Sequence, residues 1–295
     1  MTDLFTKDAA LAVQEELSGF YYGMDFETYQ AIPALNGSAL MHMRRSPMKY
    51  KWELDHPSES TPAQILGTAT HRLILEPERV GEFAVWGEGE DENVRRGKVW
   101  DAFKEKHPHQ MIVTVPERDA MVGMAVGARL NLPIRKYADM PGKTEVSMFW
   151  RDKETGRRMK GRVDKIMHKR DVIFDLKTCV DCHPRIFGAA SYRYGYHIKM
   201  ALYWEGYKTI TGEAPKMKMG AIEKKAPFES AVYRVTTDVI LQGMEELAEL
   251  VSRVDECEKT DTWPAEYAEE TDLQIPAWAL TEQDSLEEFA EPEED

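Results

Sequence analysis

The feature that most constrains the fold is a pair of apolar, β-branched runs in the middle of the chain. The first run is Gly161–Ile166 and the second is Val172–Thr178. Between them lie the polar residues Lys169, Arg170 and Asp171. Two strand-forming runs joined by a short polar segment predict a β-hairpin.

A carboxylate interrupts each of these otherwise buried-looking runs. Asp164 lies in the first strand and Asp175 in the second. Because side chains alternate along a strand, Asp175 and Lys177 are expected to project from the same face. Two hard oxygen ligands in a partly buried site suit Mg²⁺. The adjacent Lys177 can orient a water molecule or stabilise the charge that grows on a phosphate.

The same residues have a structural interpretation, in which Asp175 and Lys177 form an ion pair that satisfies both charges. For an isolated Asp-x-Lys triplet this interpretation is favoured. Here a second aspartate, Asp164, precedes Asp175 by eleven residues. The combination favours metal-dependent phosphodiester chemistry.

Composition indicates a soluble globular protein. The chain has 295 residues, of which 42% are hydrophobic, and its mean hydropathy is −0.53. This length allows one sizeable domain with decorations. No apolar run approaches the length of a membrane span, and the N-terminus lacks the features of a signal peptide. We therefore expect a cytoplasmic protein without a membrane partner.

Three cysteines, Cys179, Cys182 and Cys257, cannot form a fully paired disulfide framework, which fits a reducing compartment. The Cys179-x-x-Cys182-His183 motif is compatible with half of a zinc site, a redox pair or a haem attachment site. A zinc site requires further ligands that Cys257 alone does not supply. We interpret these cysteines as incidental to function.

The net charge of −14 is distributed unevenly. Residues 244–295 contain 19 acidic and 2 basic residues, a net charge of −17. Residues 151–243 contain 19 basic and 11 acidic residues, a net charge of +8. The predicted hairpin therefore belongs to the basic part of the chain, where a positive field favours a polyanionic substrate.

The order of predicted elements indicates a mixed α/β domain with helices over a central sheet. Residues 1–20 are expected to form a loose arm, and residues 281–295, with eight acidic and no basic residues, a disordered tail. Residues 21–280 then form a single domain. Helices are predicted at 62–75, 117–130, 187–209 and 237–256, with another starting at 36–38, and strands at 144–151, 158–168, 172–177, 216–224 and 230–235.

Other residues can contribute to the same cleft. His71 lies on the first clear helix, after the small residues Gly67–Thr70. Lys199 and Tyr203 are one helical turn apart and share a face, although an aromatic helix stripe is also typical of a core. Further candidates for supporting the site are Glu145, at the start of the preceding strand, together with Arg162 and Thr178.

These elements together resemble the PD-(D/E)xK nuclease superfamily, and more closely the C-terminal nuclease domain of the exodeoxyribonuclease VIII (RecE-type) family of phages and prophages. The resemblance runs in order from about Gly19 to Leu280. Each motif is weak alone, whereas the ordered set is fairly specific. The matching segments are Gly23–Tyr29, Leu66–His71, Gly161–Ile166, Asp175–Thr178, Tyr196–Ile198, Ala201–Tyr203, Trp263–Pro264 and Ile275–Trp278.

The resemblance implies a restriction-endonuclease-like α/β core and a set of roles for individual residues. It implies that Asp164, Asp175 and the Leu176 carbonyl hold the metal, that Lys177 assists the attacking water, and that His71 supports the metal site. The family usually carries Gln in the helix after the Asp-x-Lys strand, where this chain has Lys199. A lysine there can contact the scissile phosphate or compete with the metal.

The function expected from this reading is a Mg²⁺-dependent exonuclease, with Mn²⁺ as a substitute metal, acting on linear double-stranded DNA. The resemblance alone implies 5′→3′ digestion, a ring-shaped homo-oligomer and a RecT-like single-strand annealing partner. The alternatives are an endonuclease or repair nuclease of the same superfamily, and a catalytically weak DNA-end-binding scaffold. The iron-sulfur branch of the superfamily is disfavoured because it needs four clustered cysteines.

Overall fold

The computed structural model describes residues 17–58, 60–87, 94–267 and 269–273. The predicted acidic tail at 281–295 and the motif Ile275–Trp278 lie outside these ranges. Within them, no helix combines the length and apolarity needed to cross a membrane.

A seven-stranded, mostly antiparallel sheet forms the centre of the fold. The strands of the described chain are β1 (Gly19–Tyr21), β2 (Leu35–Asn36), β3 (Phe83–Trp86), β4 (Met111–Thr114), β5 (Lys143–Arg151), β6 (Arg158–Met167), β7 (Val172–Cys179), β8 (Lys216–Glu223) and β9 (Ser230–Arg234). The order in the sheet is β1-β5-β6-β7-β8-β9, with β2 pairing in parallel with the start of β6. Only β7 and β8 are parallel along the main path, whereas β3 and β4 form a separate parallel pair.

Helices cover both faces of this sheet, which confirms the mixed α/β class. The helices are α1 (Phe26–Ala31), α2 (Gly37–Arg45), α3 (Pro47–Asp55), α4 (Pro62–Leu75), α5 (Lys98–Lys106), α6 (Val115–Leu130), α7 (Leu132–Asp139), α8 (Pro184–Arg193), α9 (Tyr196–Thr211) and α10 (Thr237–Thr260). On one face α2, α3, α9 and α10 contribute to the largest buried cluster; on the other, α4, α6 and α7 contribute to a second one.

The predicted hairpin is present as β6 and β7, which pair antiparallel. The connection is a 3₁₀ turn at His168–Arg170 followed by Asp171 in the left-handed region at φ 49°. The Asp171 carboxylate accepts a hydrogen bond from the Tyr207 hydroxyl at 3.0 Å. The turn is therefore tied to α9, the helix that packs over the hairpin.

The single helix predicted over 187–209 is wrong, because the chain breaks between α8 and α9. Gly195 has φ 68°, a left-handed conformation that favours glycine, and a Cβ there would overlap Met41 Sδ. Apolar periodicity continues across the break and does not reveal it.

Two smaller predictions need correction. Gly19 and Phe20, assigned to a loose arm, belong to β1 and pair with β5, and the Phe20 ring packs 5.5 Å from that of Tyr207. The helix predicted over 237–256 extends to Thr260, and Thr236 at its N-cap forms no side-chain capping bond. In contrast, the helix start predicted at 36–38 is present, and Asn36 caps α2 by accepting hydrogen bonds from the backbone N–H groups of the second and third helical residues.

Packing between α9 and the sheet predicts a strong effect for a single methyl group. A Cβ at Gly206 would lie 2.8–2.9 Å from ring atoms of Trp150, whose side chain is 1% exposed and tightly enclosed. We expect Gly206→Ala to lower the free energy of unfolding by about 1–3 kcal/mol through overpacking. Gly188→Ala, on α8 with nothing within 4 Å of the new Cβ, should raise it by about 0.4–1 kcal/mol. Denaturant unfolding of both variants measures the difference, and two equal effects would contradict this packing.

Candidate active site

Strand β7 supplies the Asp-x-Lys triplet at the centre of the sheet. Asp175 is 1% exposed, and its Oδ2 forms an ion pair with Lys177 Nζ, which confirms that the two side chains share a face. The same ammonium lies 3.1 Å from the Leu176 carbonyl oxygen and donates to it. Lys177 therefore bridges a carboxylate and a backbone carbonyl.

Asp164 enters the site where the two strands of the hairpin separate. The β6–β7 ladder ends at Lys165–Phe174, and its register places Asp164 opposite Asp175. In place of a backbone partner across the hairpin, the Leu176 N–H donates to Asp164 Oδ2 at 2.6 Å. A carboxylate thus fills the gap in the ladder and holds β6 and β7 together at the site.

On the other side of β6, the neighbouring strand β5 is distorted beside Asp164. The β5–β6 register places Glu145 opposite Asp164, and Glu145 has φ 49°. Thr144 donates to Glu76 at the end of α4, at 2.7 Å, whereas Val146 is buried in the cluster with α9. A regular strand would place Thr144 and Val146 on one face. The left-handed residue therefore reverses the alternation of side chains beside Asp164.

His71 reaches the site from α4. Its Nδ1 lies 3.3 Å from Asp164 Oδ2, so one carboxylate oxygen contacts both this imidazole and the Leu176 N–H. On the same helix Gly67 faces β7. A Cβ at that position would make an ordinary van der Waals contact, 3.9 Å from Thr178 Oγ1, so the approach of the helix does not depend on glycine there.

Helix α9 closes the other side of the carboxylates. Tyr203 packs against Gly161, where a Cβ would lie 3.0 Å from the tyrosine ring. Lys199 packs against Gly37, at the start of α2, with its Cγ 3.1 Å from the Cβ position. Lys199 and Tyr203 therefore lie on the same face of α9, packed against neighbouring elements; that this face looks into a catalytic cleft stays a prediction. Sequence reasoning missed Tyr196 as a site residue, although its ring centre lies 5.4 Å from Lys177 Nζ.

The charges of the cluster are strongly coupled. Burial alone would raise the pKa of Asp164, but His71, Lys177 and the Leu176 N–H outweigh it and hold that pKa at about 2. Burial raises the pKa of Asp175, and the Lys177 ammonium opposes that rise. Burial would lower the pKa of Lys177, yet the two carboxylates raise it, so its ammonium stays charged. Both carboxylates are thus next to permanent positive charge.

Lys199 has a different electrostatic environment. Burial and the neighbouring Lys177 ammonium, opposed by Asp175, together lower its pKa to about 8. Within the described part of the chain, Lys199 forms no side-chain hydrogen bond or ion pair. It is therefore a partly neutralised amine near pH 8, beside the carboxylates.

Three predicted supporting residues lie around this centre without touching the two carboxylates. Arg162 Nε donates to Glu145 Oε2 at 2.8 Å, and its Nη1 donates to the Met24 carbonyl at 2.8 Å. Glu145 and Arg162 line an adjoining cleft of about 490 Å³. Thr178 follows Lys177 on β7 and faces α4, away from α9.

The donor atoms fit a hard divalent cation. Asp164, Asp175 and the Leu176 carbonyl supply oxygen ligands of the kind that Mg²⁺ or Mn²⁺ prefers. The hydrogen bonds described above engage Oδ2 of both carboxylates, which leaves Oδ1 of each for coordination. The Lys177 ammonium already bridges two of these groups, which shows that positive charge is favoured there.

Another group of potential ligands lies elsewhere. Among the described residues, Cys182, Glu223 and Glu229 are the one set of three His, Cys, Asp or Glu side chains whose ligand atoms all lie within 4.8 Å. Asp164, Asp175 and His71 are not so compact. Burial raises the pKa of the Cys179 and Cys182 thiols to about 12 and about 11, so neither is a thiolate at neutral pH.

Comparison with known proteins places this geometry in a family. The sequence profile described as "PDDEXK-like domain of unknown function (DUF3799)" matches residues 37–275. No curated protein matches the chain. The structure is similar to that of a candidate exonuclease from Eubacterium rectale, with a TM-score of 0.60 and 15% identity over 87% of this chain and 96% of the other, and this similarity supports the fold. A phage-related exonuclease from Haemophilus somnus aligns with a TM-score of 0.33 and 10% identity over 78% and 97% of the two chains.

The contact between His71 and Asp164 predicts a pH-dependent stability. Burial would lower the pKa of His71, but the charge and hydrogen bond of Asp164 outweigh it and raise the pKa above its ordinary 6.5. The contact therefore contributes fully below pH 6.5 and is lost as the pH rises through the folded-state pKa. We expect His71→Gln to destabilise the metal-free protein more at about pH 5 than at about pH 9.

The control is His109→Gln, at an exposed histidine outside the cluster. Unfolding free energies measured in chelator across this pH range should show a constant effect for the control variant. A constant effect for His71→Gln as well would show that Asp164 does not stabilise the charged imidazole.

Proposed function

The chain belongs to the family of PDDEXK-like domains, and from this premise we propose that it is a metal-dependent nuclease. The observation that carries the proposal is the convergence of Asp164, Asp175, the Leu176 carbonyl and Lys177 at the gap in the β6–β7 ladder. A structural ion pair alone would account for Asp175 and Lys177. It would not account for a second carboxylate aimed into the same gap.

The proposed chemistry is hydrolysis of a phosphodiester bond. Asp164 and Asp175, with the Leu176 carbonyl, would hold Mg²⁺, and Mn²⁺ would substitute for it. When bound, the ion would supply Lewis acidity and positive charge at the scissile phosphate. Lys177 orients the attacking water through its ammonium and stabilises the negative charge that develops on the phosphate oxygens.

His71 acts through Asp164. Its imidazole contacts Asp164 Oδ2, the oxygen that also accepts the Leu176 N–H. This contact fixes the carboxylate in the gap between the strands, where its other oxygen would be a ligand for the metal. His71 is in this proposal a positioning residue.

The proposed substrate is linear double-stranded DNA. Residues 151–243, which contain both carboxylates and Lys177, carry a net charge of +8, whereas the whole chain carries −14. A positive field around an acidic metal site attracts a polyanion and offsets the repulsion between phosphate and carboxylates. The domain responsible, predicted at residues 21–280 and extended to Gly19 by the pairing of β1 with β5, is proposed to be followed by an acidic tail.

Finer features of the function rest on the resemblance to the exodeoxyribonuclease VIII family. We propose 5′→3′ exonuclease action that exposes single strands for recombination by strand annealing. A ring-shaped homo-oligomer would keep the duplex within the enzyme, and closed cyclic symmetry is a common way to build such a ring. A RecT-like single-strand annealing protein is the proposed partner.

A paired DNA digestion tests the function. We expect the protein with Mg²⁺ to degrade linear duplex and spare a covalently closed circle, and a chelator to abolish degradation. Asp164→Asn and Asp175→Asn should each lower the rate by at least about 100-fold, because each removes a charged ligand while preserving side-chain shape. Thermal unfolding of the same variants shows whether they remain folded.

The outcomes separate the alternatives. Cleavage of the circle would indicate an endonuclease. Retention of linear DNA without cleavage would indicate an end-binding scaffold. Near-wild-type cleavage by either folded aspartate variant would contradict the proposal that the two carboxylates form the catalytic centre.

Lys199 tests how a cation beside the metal site affects the reaction. Lys199→Gln introduces the residue usual in the family, and Lys199→Ala removes the polar group. If Lys199 contacts phosphate, the alanine variant should lose about 10- to 100-fold in rate while the glutamine variant retains activity. If it competes with the metal, Lys199→Gln should raise the rate and lower the Mg²⁺ concentration required.

Cleavage rates are measured as a function of Mg²⁺ concentration for wild type and both variants. Lys208→Gln is a suitable control, since this exposed lysine lies on the same helix with its Nζ 4.7 Å from the Trp204 ring centre. Three superimposable curves for wild type, Lys199→Gln and Lys199→Ala would place Lys199 outside the reaction.

A further inference from the structure

The junction between α8 and α9 presents an exposed aromatic side chain close to the catalytic cluster. Tyr194 is 56% exposed and is followed by Gly195, whose left-handed backbone ends one helix and starts the next. Met41 occupies the space where a side chain at Gly195 would lie. Arg44 Nη1 donates to the carbonyls of Tyr192 and Arg193 at 2.9 and 3.3 Å. Packing and hydrogen bonds thus fix the position of Tyr194.

A short series of contacts leads from this residue to the reacting groups. The Tyr194 ring centre lies 5.8 Å from that of Tyr196, and the Tyr196 ring centre lies 5.4 Å from Lys177 Nζ. Tyr194 is therefore within about 11 Å of the catalytic ammonium. At a rise of about 3.4 Å per nucleotide, this upper bound corresponds to roughly three nucleotides or fewer.

One cationic side chain, that of Arg193, lies beside the Tyr194 ring. Arg193 is exposed, and its Cζ lies 5.9 Å from the Tyr194 ring centre. Within the described part of the chain, Arg193 forms no ion pair with a carboxylate. Its guanidinium can therefore contact a phosphate next to whatever lies on the ring.

Tyr192 has similar exposure, 58%, but a different environment. Its ring stacks on His197 at 5.0 Å with an interplanar angle of 18°, and Arg44 Cζ lies 5.0 Å from its centre. Tyr194 has only a tilted contact with Tyr196 and the Arg193 contact among the described residues. Of the two exposed rings, Tyr194 is the one with surface available to stack.

We propose that Tyr194 is a stacking platform for an unpaired base at the terminus of the DNA substrate, with Arg193 on the neighbouring phosphate. The inference rests on the proposed function. Aromatic rings bind single-stranded DNA through the π-face that every base presents, and basic side chains follow the backbone. A platform a few nucleotides from the reacting phosphate would hold a separated strand at the end of a duplex and favour such ends over internal positions.

The test measures binding and base stacking together. The probe is a linear duplex with a short single-stranded terminus that carries 2-aminopurine about three nucleotides from the junction. Binding is followed by anisotropy with Ca²⁺ in place of Mg²⁺, with gel analysis to confirm that the DNA stays intact. A duplex closed at both ends by hairpins is the matched substrate without a free terminus.

We expect Tyr194→Ala to weaken binding of the open-ended probe by about 5- to 100-fold and to remove the quenching of 2-aminopurine seen with wild type. Tyr194→Phe should retain both signals, because stacking needs the ring and not the hydroxyl. Tyr192→Ala is the control and should change binding of the open-ended probe by less than about twofold. Binding of all variants to the hairpin-closed duplex should likewise differ from that of wild type by less than about twofold.

Equal binding and quenching by wild type and Tyr194→Ala would overturn the inference, even if wild type digests linear DNA with Mg²⁺. A change in self-association of Tyr194→Ala by light scattering, with DNA binding unaltered, would likewise overturn it and identify a protein interface. If the wild-type protein neither binds nor digests linear DNA, the proposed function is overturned as well.

Discussion

The hydrogen bond from the Leu176 N–H to Asp164 is the interaction on which the site depends. An antiparallel hairpin would normally satisfy such a backbone group with a carbonyl on the neighbouring strand. Here a carboxylate takes that role, so the two strands can separate without leaving a buried N–H unsatisfied. The gap created in this way exposes the Leu176 carbonyl to the same space as Asp175.

Such a gap concentrates charge in a buried region, and the cost of that burial explains why cations surround it. An isolated buried carboxylate is destabilising, and its pKa rises until it becomes neutral. Lys177 contacts Asp175, and His71 contacts Asp164, so each carboxylate has its own cationic partner. The arrangement keeps two acidic groups close together in a folded protein and ready for a divalent ion.

Sequence patterns predicted the parts of this arrangement that depend on neighbours in the chain. Strand alternation placed Asp175 and Lys177 on one face, and helical spacing placed Lys199 and Tyr203 together. The left-handed Gly195 could not be predicted in this way, because it depends on Met41, which is distant in sequence. The short strand β2 was missed for the same reason: Lys160, buried in β6, donates to the carbonyls of Tyr29, Gln30 and Ile32 and fixes the segment before β2.

The contacts that meet at Asp164 differ greatly in the length of chain that each closes. The bond to Leu176 spans 12 residues, whereas the contact with His71 joins positions 71 and 164. By the logarithmic dependence of loop-closure entropy on length, the longer loop costs about 2 kcal/mol more to close. The carboxylate is thus held locally by its own hairpin and only remotely by α4. Transient undocking of that helix would release the imidazole while leaving both aspartates in register.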